Sequence, residues 1–483
     1  MNRPALTRRD WNRMALAGAA GLAIGGCSRD DGIARHRMPA PPRQLPAPPA
    51  PGPDALFPLR VRAGTRHLLD AQGRPFLMQG DSAWSLLAQL RRDDIDHYLA
   101  DRQARGYNAV LVNLIESHFC DRPPFNSEGI APFRSPASFG SIEEYLRKVD
   151  FETPDPAYLA LFDHLLDGAD QRGIVVLAAP CYAGYEGGEQ GWWSAMKRNG
   201  AQKLQSWGRY LGDRYRSRHN LIWVQGGDYN VPDRSLVHAL ADGIREYDPA
   251  KLQTFHGSRG TGAHDWMGTP AWLGLGNIYT GAVVEDTALR YHASHGQVPF
   301  ILFEAFYENY AAAPRDPRLT RAQAYQALLS GACGQLSGHD DIWQFRPSWR
   351  AALDAATSRS MAQLARVFGP LPWWTFEPDA GRLLVGERGT GLDRAVAAVS
   401  TSSPLALVYW PQLRTLDVGA RALGSKAVIA TWIDPVDGRR VSATPTAADG
   451  GRVTFSPPGP NSAATTDWLL MLNQAAGPHD ARS

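Results

Sequence analysis

The sequence predicts an α/β fold: a (β/α)8 TIM barrel followed by a small antiparallel β-sandwich. Two observations lead to this prediction. Between about residues 60 and 345, short apolar runs alternate with longer amphipathic stretches, a pattern typical of βαβ units and a parallel sheet. From residue 371 onward the helical rhythm stops, and short alternating runs are separated by Gly, Pro and Asp turns.

The composition is that of a soluble globular protein with room for two domains. The chain has 483 residues, of which 44% are hydrophobic and 20% charged. A net charge of +2 gives no reason to expect nucleic acid as a partner. The 15 Trp and 16 Tyr are a high aromatic load, which can fill a core or cover the apolar faces of sugar rings.

Residues 1–27 predict a twin-arginine lipoprotein signal. Arg8 and Arg9 precede an apolar run of about 14 residues, shorter than the roughly 20 residues of a membrane span. The run ends in Gly25, Gly26 and Cys27, which resembles a lipoprotein processing box with Cys27 as the lipidation site. A buried N-terminal helix is the alternative. We therefore expect export to the periplasm or outer membrane of a bacterium, with the membrane as a partner through the lipid anchor.

Residues 28–58 predict a proline-rich tether that precedes the two folded domains. Nine prolines lie between Pro39 and Pro58, which favours extended polyproline II structure. The barrel is predicted at 59–370 and the sandwich at 371–478. The other cysteines are Cys120, Cys181 and Cys333, and they have no metal-type spacing. Export allows a Cys120–Cys181 disulfide, and buried free thiols are the alternative.

Eight apolar runs are the predicted barrel strands. Eight units over nearly 300 residues suit a barrel, which needs about 250 residues. An open doubly wound sheet is the alternative, but Gly80 to Trp84 replace the Gly-rich dinucleotide fingerprint after the first run. The runs span 75–81, 107–115, 174–180, 221–228, 252–257, 273–279, 299–305 and 332–338.

Polar and aromatic residues recur at the ends of these runs, where barrel enzymes have their active sites. We predict that they bind substrate, although His256 and His339 also fit core histidines and Glu308 also fits an ion pair. Trp192 and Trp193 are either stacking platforms or core. No metal or other cofactor is expected, because no close-spaced ligand set is present. The predicted substrate-binding residues are Asp81, Trp84, Asn113, Tyr182, Asn230, His256, Tyr279, Tyr307, Glu308, His339 and Trp343.

Two carboxylates, Asp228 and Glu304, are the predicted catalytic pair. Asp228 ends the fourth run after two glycines, and Glu304 ends the seventh, so both side chains can converge across the barrel mouth. Cleavage of a glycosidic bond needs two carboxyl groups: one protonates the leaving oxygen and the other attacks the sugar or activates water. For each acid alone, a helix cap or a structural ion pair is the alternative.

The segments GDSAW, LIWVQGGDYN, FILFEAFYEN and HDDIW resemble the apiosidase-like family of glycoside hydrolases, from about residue 60 to 475. The resemblance implies a barrel followed by a small β-sandwich. It also implies that Asp228 is the general acid/base and Glu304 the nucleophile. Two positions depart from the family's pattern: Tyr229 replaces a frequent basic residue, and Ala305 replaces a frequent proline. The resemblance therefore leaves the bound sugar open.

The implied activity is retaining hydrolysis of a branched polysaccharide or oligosaccharide. A surface-anchored carbohydrate-binding protein on a catalytically inactive barrel is the second hypothesis. A peptidase is disfavoured, since neither an HExxH helix nor a GxSxG elbow is present. The family's C-terminal module is named after a collagen-binding domain, but no sequence feature supports collagen binding. We expect it to brace the barrel, with sugar binding as the alternative.

Overall fold

The computed structural model describes residues 55–281, 283–419, 428–449 and 452–474. The predicted signal and residues 28–54 of the predicted tether lie outside these ranges. The described chain begins with a small antiparallel sheet of β1 (Arg60–Val61), β2 (Leu68–Leu69) and β3 (Pro75–Phe76). Apolar side chains of this sheet join the core of the barrel interior, so the sheet covers one end of the barrel.

Eight parallel strands follow, one in each predicted run, and they confirm the predicted barrel. Their order in the sheet is β8-β7-β6-β5-β4-β11-β10-β9. The strands are β4 (Met78–Ser82), β5 (Ala109–Asn113), β6 (Val175–Ala179), β7 (Leu221–Gly226), β8 (Gln253–His256), β9 (Gly276–Tyr279), β10 (Phe300–Glu304) and β11 (Gly334–Ser337).

The barrel is nearly closed between β8 and β9. A parallel bridge joins Gln253 to Leu273, just before β9. The backbone N–H groups of Gly274 and Leu275 both donate to the Gln253 carbonyl, at 3.1 and 3.2 Å. This bridge and these two hydrogen bonds keep β8 and β9 side by side at the seam.

Helices surround the strands, and several begin where the sequence offers a cap. The side chains of Ser141, Asp155 and Asp233 each accept a hydrogen bond from the first turn that follows. The helices are α1 (Leu86–Gln89), α2 (Arg92–Ala104), α3 (Ile142–Lys148), α4 (Pro156–Asp170), α5 (Trp193–Tyr215), α6 (Arg234–Tyr247), α7 (Ala263–Met267), α8 (Val284–Ser294), α9 (Leu319–Leu328), α10 (Asp340–Trp343), α11 (Trp349–Ala352) and α12 (Ala356–Phe368).

The strand period of two divides the core into an interior layer and a helix-facing layer. On β5, Leu111 belongs to the barrel interior, whereas Val110 and Val112 pack with the surrounding helices. Both faces of β5 are therefore apolar, as expected for a strand of a parallel sheet covered by helices.

Two antiparallel sheets form the C-terminal region and confirm the predicted sandwich. One has the order β12-β14-β15-β21-β17-β18 and the other β13-β16-β20-β19. Their facing side chains share one apolar core, which includes Trp432 and Trp468. The strands are β12 (Phe376–Pro378), β13 (Leu384–Val385), β14 (Val396–Ser400), β15 (Leu405–Trp410), β16 (Leu416–Gly419), β17 (Val428–Ile433), β18 (Arg440–Ser442), β19 (Ala447–Asp449), β20 (Arg452–Phe455) and β21 (Trp468–Gln474).

The larger sheet packs on the barrel through helices α9 and α12. The rings of Tyr325 on α9 and Tyr409 on β15 stack with centroids 5.2 Å apart. The Arg321 guanidinium donates to both oxygens of Asp467, at 2.6 and 2.8 Å, and both side chains are almost fully buried. An apolar contact and a buried ion pair thus join the sandwich to the barrel.

Two further features concern the thiols and the helices of the described part. Cys120, Cys181 and Cys333 all carry free thiols there, so the structure has no Cys120–Cys181 disulfide. None of the helices within the described ranges combines the length and apolar character needed to cross a bilayer.

Candidate active site

Asp228 reaches the barrel mouth through a glycine turn at the end of β7. Gly226 has φ +83°, in the left-handed region that favours glycine, and a Cβ there would collide with the His256 carbonyl oxygen. A Cβ on Gly227 would lie 2.8 Å from the backbone nitrogen of Ala183. The two glycines therefore let the chain turn close to its neighbours and present Asp228 at the strand end.

Glu304 reaches the same mouth through an irregularity at the end of β10. Along this strand Ile301 faces the interior and Leu302 faces the helices, so regular alternation would turn residue 304 outward. The register against β9 shifts between Leu302 and Glu304, as at a β-bulge. Because a bulge re-aims the side chains that follow it, Glu304 can face the mouth.

Residues that follow or end three other strands hold Asp228 in place. The Tyr279 hydroxyl donates to Asp228 Oδ2 at 3.3 Å, and Arg259 Nη2 donates to the Tyr279 hydroxyl oxygen at 2.8 Å. The Tyr182 hydroxyl accepts a hydrogen bond from the Asp228 backbone. Asp228 is therefore fixed at its backbone and at one carboxylate oxygen.

Burial raises the pKa of Asp228 well above the ordinary aspartate value, and the negative charge of Glu304 raises it further. The Arg259 charge and the Tyr279 hydrogen bond oppose this rise without cancelling it. Asp228 is thus suited to hold a proton at a pH where ordinary carboxyl groups are ionised, as a general acid must.

The Glu304 carboxylate has a different environment. Its Oε2 lies 3.2 Å from Nε2 of His256, and the Glu304 side chain keeps 15% of its surface exposed while His256 keeps 1%. Neither ring nitrogen of His256 makes a well-aligned hydrogen bond within the described part of the chain. A Glu304 carboxyl group fixed beside an imidazole is placed to act as a nucleophile.

An aromatic cluster lines the mouth next to the two acids. The Trp84 ring stacks on the His256 ring with centroids 5.7 Å apart, and Trp84 also contacts Tyr182 edge-on at 5.7 Å. Its indole N–H donates to the Tyr307 hydroxyl at 3.1 Å. The structure therefore brings five predicted residues together with Asp228 and Glu304: Trp84, Tyr182, His256, Tyr279 and Tyr307.

Two more predicted residues lie beside this cluster. Phe119 links Trp343 to it, since its ring contacts Trp343 at 5.2 Å and Tyr182 at 6.3 Å between centroids. The backbone N–H of Asn113 donates to the Trp84 carbonyl at 2.8 Å. Asn113 donates to a buried Glu116 at 2.8 Å, while its amide oxygen is buried with no hydrogen-bond partner in the described chain. Trp343 and Asn113 thus border the mouth.

Asp81 does not face the mouth, although it lies at a strand end. It accepts hydrogen bonds from Tyr98 at 2.8 Å and from Arg102 at 3.1 Å, both on α2, in a fully buried ion pair. Met78 of the same strand packs in the barrel interior, so the period of two turns Asp81 toward the helices. The carboxylate therefore has a structural environment in place of the predicted contact with substrate.

Three other predicted residues make local contacts that fix loops or helix ends. The Asn230 side chain bonds to Ser258 and Thr261, which ties together the loops after β7 and β8. Glu308 accepts from the Thr357 backbone at 2.7 Å in the first turn of α12, and His339 accepts from the Asp341 backbone at the start of α10. Asn230 thus links two loops, while Glu308 and His339 cap helices, which accounts for their polar character without a substrate.

Trp192 and Trp193, at the start of α5, belong to the core. Trp192 is fully buried and packs edge-on against Phe133 and Tyr145. Trp193 is 3% exposed and contacts Tyr229. Of the two interpretations that the sequence left open for them, the structure favours core packing.

Arg259 and Phe119 belong to the site but are not among the residues that the sequence predicts. Both lie in loops that follow barrel strands, three residues after His256 and six after Asn113. Their position behind a strand end was the available signal, but side-chain direction in a loop has no period to predict it. Within the described residues, no group of three or more His, Cys, Asp and Glu side chains is arranged to hold a metal ion.

Comparison with protein families matches two parts of the chain. Residues 62–375 match the family described as "Apiosidase-like, catalytic domain". Residues 378–473 match the family described as "Putative collagen-binding domain of a collagenase". A search of curated proteins found no match.

Two solved structures are similar in fold. One, described as a glycoside hydrolase, has a TM-score of 0.72 and 21% identity over 87% of this chain and 98% of the other. The second, a glycoside hydrolase family 5 protein from Bacteroides vulgatus ATCC 8482, has a TM-score of 0.70 and 20% identity over 88% and 96%. At these identities the similarity establishes the fold.

Proposed function

Because this chain belongs to the apiosidase-like catalytic-domain family, we propose that it is a retaining glycoside hydrolase with Asp228 as general acid/base and Glu304 as nucleophile. One observation carries the proposal: two carboxyl groups share the barrel mouth in different environments. The pKa of Asp228 is raised by burial and then by the charge of Glu304, whereas Glu304 lies against His256. Glycoside hydrolysis requires one carboxyl group that keeps its proton and a second one close to it.

In the first step Glu304 attacks the anomeric carbon of the bound sugar. The bond from this carbon to the leaving oxygen breaks as Asp228 transfers its proton to that oxygen. The products are an ester between the sugar and Glu304, an ionised Asp228 and a free alcohol. Tyr279 and Arg259 stabilise the charge that Asp228 acquires.

In the second step a water molecule attacks the same carbon and the ester bond to Glu304 breaks. Asp228, now a carboxylate, takes a proton from the water, so both acids return to their starting states. Two displacements at one carbon restore the original configuration, which makes retention the stereochemical signature of this mechanism.

The proposed substrate is a branched polysaccharide or oligosaccharide. The aromatic cluster offers flat apolar surfaces for sugar rings. The family's name points to a pentose such as apiose, with a deoxysugar as another option. The binding residues in this proposal are Trp84, Asn113, Tyr182, His256, Tyr279, Tyr307 and Trp343.

A panel of aryl glycosides and plant pectin fragments tests the activity. We expect wild type to cleave at least one member and Glu304→Gln to lose turnover, while azide rescues Glu304→Gly and gives a glycosyl azide. Glu246→Gln is the matched control, because Glu246 pairs with Arg209 on the outer helices. Binding without cleavage by the wild type would instead support a carbohydrate-binding protein on an inactive barrel.

We also propose that the protein is exported through a twin-arginine signal and anchored by lipid on Cys27. The support is the sequence of residues 1–27, which lie outside the described residues. Mass spectrometry of the membrane-extracted protein should find a lipidated N-terminal Cys27, and Cys27→Ala should abolish the modification. An unprocessed N-terminus in the wild-type protein would contradict this proposal.

A further inference from the structure

Arg259, Tyr279 and Asp228 form a linear chain of contacts at the barrel mouth. Arg259 Nη2 is 2.8 Å from the Tyr279 hydroxyl oxygen, which is 3.3 Å from Asp228 Oδ2. The guanidinium also lies over two rings, with its carbon 5.1 Å from the centroid of Tyr279 and 5.4 Å from that of Phe306. These contacts fix the guanidinium next to the phenol.

The direction of the hydrogen bonds in this chain follows from the donor inventory. A guanidinium has only donors, so Arg259 must donate and the Tyr279 oxygen must accept. Tyr279 has a single hydroxyl hydrogen, which is then left to point at Asp228 Oδ2. Asp228 Oδ2 therefore acts as the acceptor, which is the role of the carbonyl oxygen in a protonated carboxyl group.

We propose that Arg259 and Tyr279 are positioning residues that keep the catalytic proton of Asp228 on Oδ1, the oxygen left to face the substrate. The proposal rests on the assignment of Asp228 as the general acid. In the first displacement the Oδ1 proton moves to the leaving oxygen and leaves a carboxylate whose Oδ2 is already bonded. In the second, Oδ1 takes a proton from water, so the same oxygen serves both steps.

The charges around Asp228 predict how the pH profile responds to changes in this chain. Burial, Glu304 and Glu186 raise the pKa of Asp228, whereas Arg259 and the Tyr279 hydrogen bond lower it. Tyr182 and His256 also lie in the mouth, and the pKa of Tyr182 is raised by burial, so its hydroxyl stays neutral. Loss of Arg259 should therefore move the pKa of Asp228, and the alkaline limb of activity, to higher pH.

The experiment compares Arg259→Met with Arg290→Met. Arg290 is an exposed arginine that donates to the carbonyl of Gly260, the residue next to Arg259. The kcat/KM of each variant is measured against pH for two substrates of the same sugar, one with an activated aryl leaving group and one with an alkyl leaving group. Arg259→Lys tests rescue by charge, and Tyr279→Phe removes only the hydroxyl.

Departure of the alkyl leaving group needs a correctly placed proton, whereas the activated aryl leaving group departs with little need for protonation. For Arg259→Met we expect a loss of about 10- to 100-fold in kcat/KM on the alkyl glycoside and about twofold or less on the aryl glycoside, with the alkaline limb shifted upward. Tyr279→Phe should behave in the same way, Arg259→Lys should recover part of the loss, and Arg290→Met should match wild type.

Equal losses of Arg259→Met on the two substrates, or an unshifted alkaline limb, would overturn this inference while the proposed function stands. A wild-type protein that cleaves no glycoside would overturn the proposed function instead. Melting curves of the variants exclude unfolding as the cause of a loss, and Tyr279→Phe preserves the ring packing if Arg259→Met fails to fold.

Discussion

Nε2 of His256 lies 3.2 Å from Oε2 of Glu304, and the imidazole ring of His256 stacks on the Trp84 ring. The His256 ring also contacts Phe303 at 4.7 Å between centroids. Packing on two aromatic rings holds the imidazole in place. It therefore limits the positions that the Glu304 carboxylate can adopt.

His256→Asn should lower kcat/KM by about 10- to 100-fold, because Glu304 loses the neighbour that positions it for attack. Steady-state kinetics on the best substrate, with a melting curve for each variant, checks this. The control is His238→Asn, since His238 accepts from Trp272 on the outer side of the barrel. Wild-type kinetics in His256→Asn would show that His256 does not position Glu304.

The raised pKa of Asp228 also predicts a stability effect. Burial and the Glu304 charge raise the pKa of Asp228 in the folded state, so the unfolded state ionises first as the pH rises. The stability tied to protonated Asp228 is therefore complete below about pH 4 and is lost as the pH rises toward the folded pKa.

Asp228→Asn mimics the protonated acid and should be inactive but more heat-stable than wild type. The gain in melting temperature should be small near pH ~4, where Asp228 of the wild type is protonated in the folded state and still partly protonated in the unfolded state. It should be larger near pH ~8, where the unfolded wild-type chain is ionised at this residue. Asp242→Asn, a change on helix α6 away from the mouth, should show no such trend. A gain in Asp228→Asn that is independent of pH would contradict the raised pKa.

Asp81 and Glu304 show what the sequence could and could not predict. The apolar runs predicted all eight strands, because each barrel strand is buried on both faces and bounded by polar residues. The direction of a side chain at a strand end is harder to predict, since a shift of one residue turns the side chain to the opposite face. Asp81 follows the regular period and faces α2, whereas the irregularity after Leu302 turns Glu304 into the mouth.

Local capping explains the other differences between the predicted and observed sites. Glu308 and His339 are polar because they accept from the first turns of α12 and α10. A single sequence does not distinguish such caps from ligand contacts, since both place polar residues just after a strand. Arg259 illustrates the converse, because its contact with the Tyr279 hydroxyl of the adjacent strand depends on the direction of a loop side chain.

Asp81→Ala should destabilise the fold, because it leaves the buried Arg102 charge without its partner. Removal of one member of a buried ion pair costs about 3 to 5 kcal/mol. Urea unfolding measures the loss, and KM of the remaining folded enzyme should be unchanged. A raised KM at wild-type stability would return Asp81 to the substrate site.

Arg321→Met should weaken the junction of the barrel and the sandwich by a similar amount, about 3 to 5 kcal/mol, since Asp467 would be buried alone. Although burial alone would raise the pKa of Asp467, hydrogen bonds from Arg321 hold it below the ordinary value. This contribution is present above the unfolded pKa and is lost as the pH falls, so the variant should differ less from wild type in acid.

Calorimetry of the same variant measures this loss at the junction. The wild-type chain should unfold in one transition, because the junction shares an apolar core and a buried ion pair. The control is Arg414→Met, which removes an exposed arginine whose hydrogen bonds go to Gln412 and Glu387 within the sandwich. Two separate transitions in the wild type would show that the sandwich does not brace the barrel.

The stereochemistry of the first-formed sugar distinguishes a double displacement at Glu304 from a single displacement by water. Proton NMR during hydrolysis of an active aryl glycoside reports the anomeric configuration before mutarotation. A double displacement through Glu304 and Asp228 predicts that the product initially has the configuration of the substrate. A product formed with the opposite configuration would contradict the assignment of Glu304 as the nucleophile.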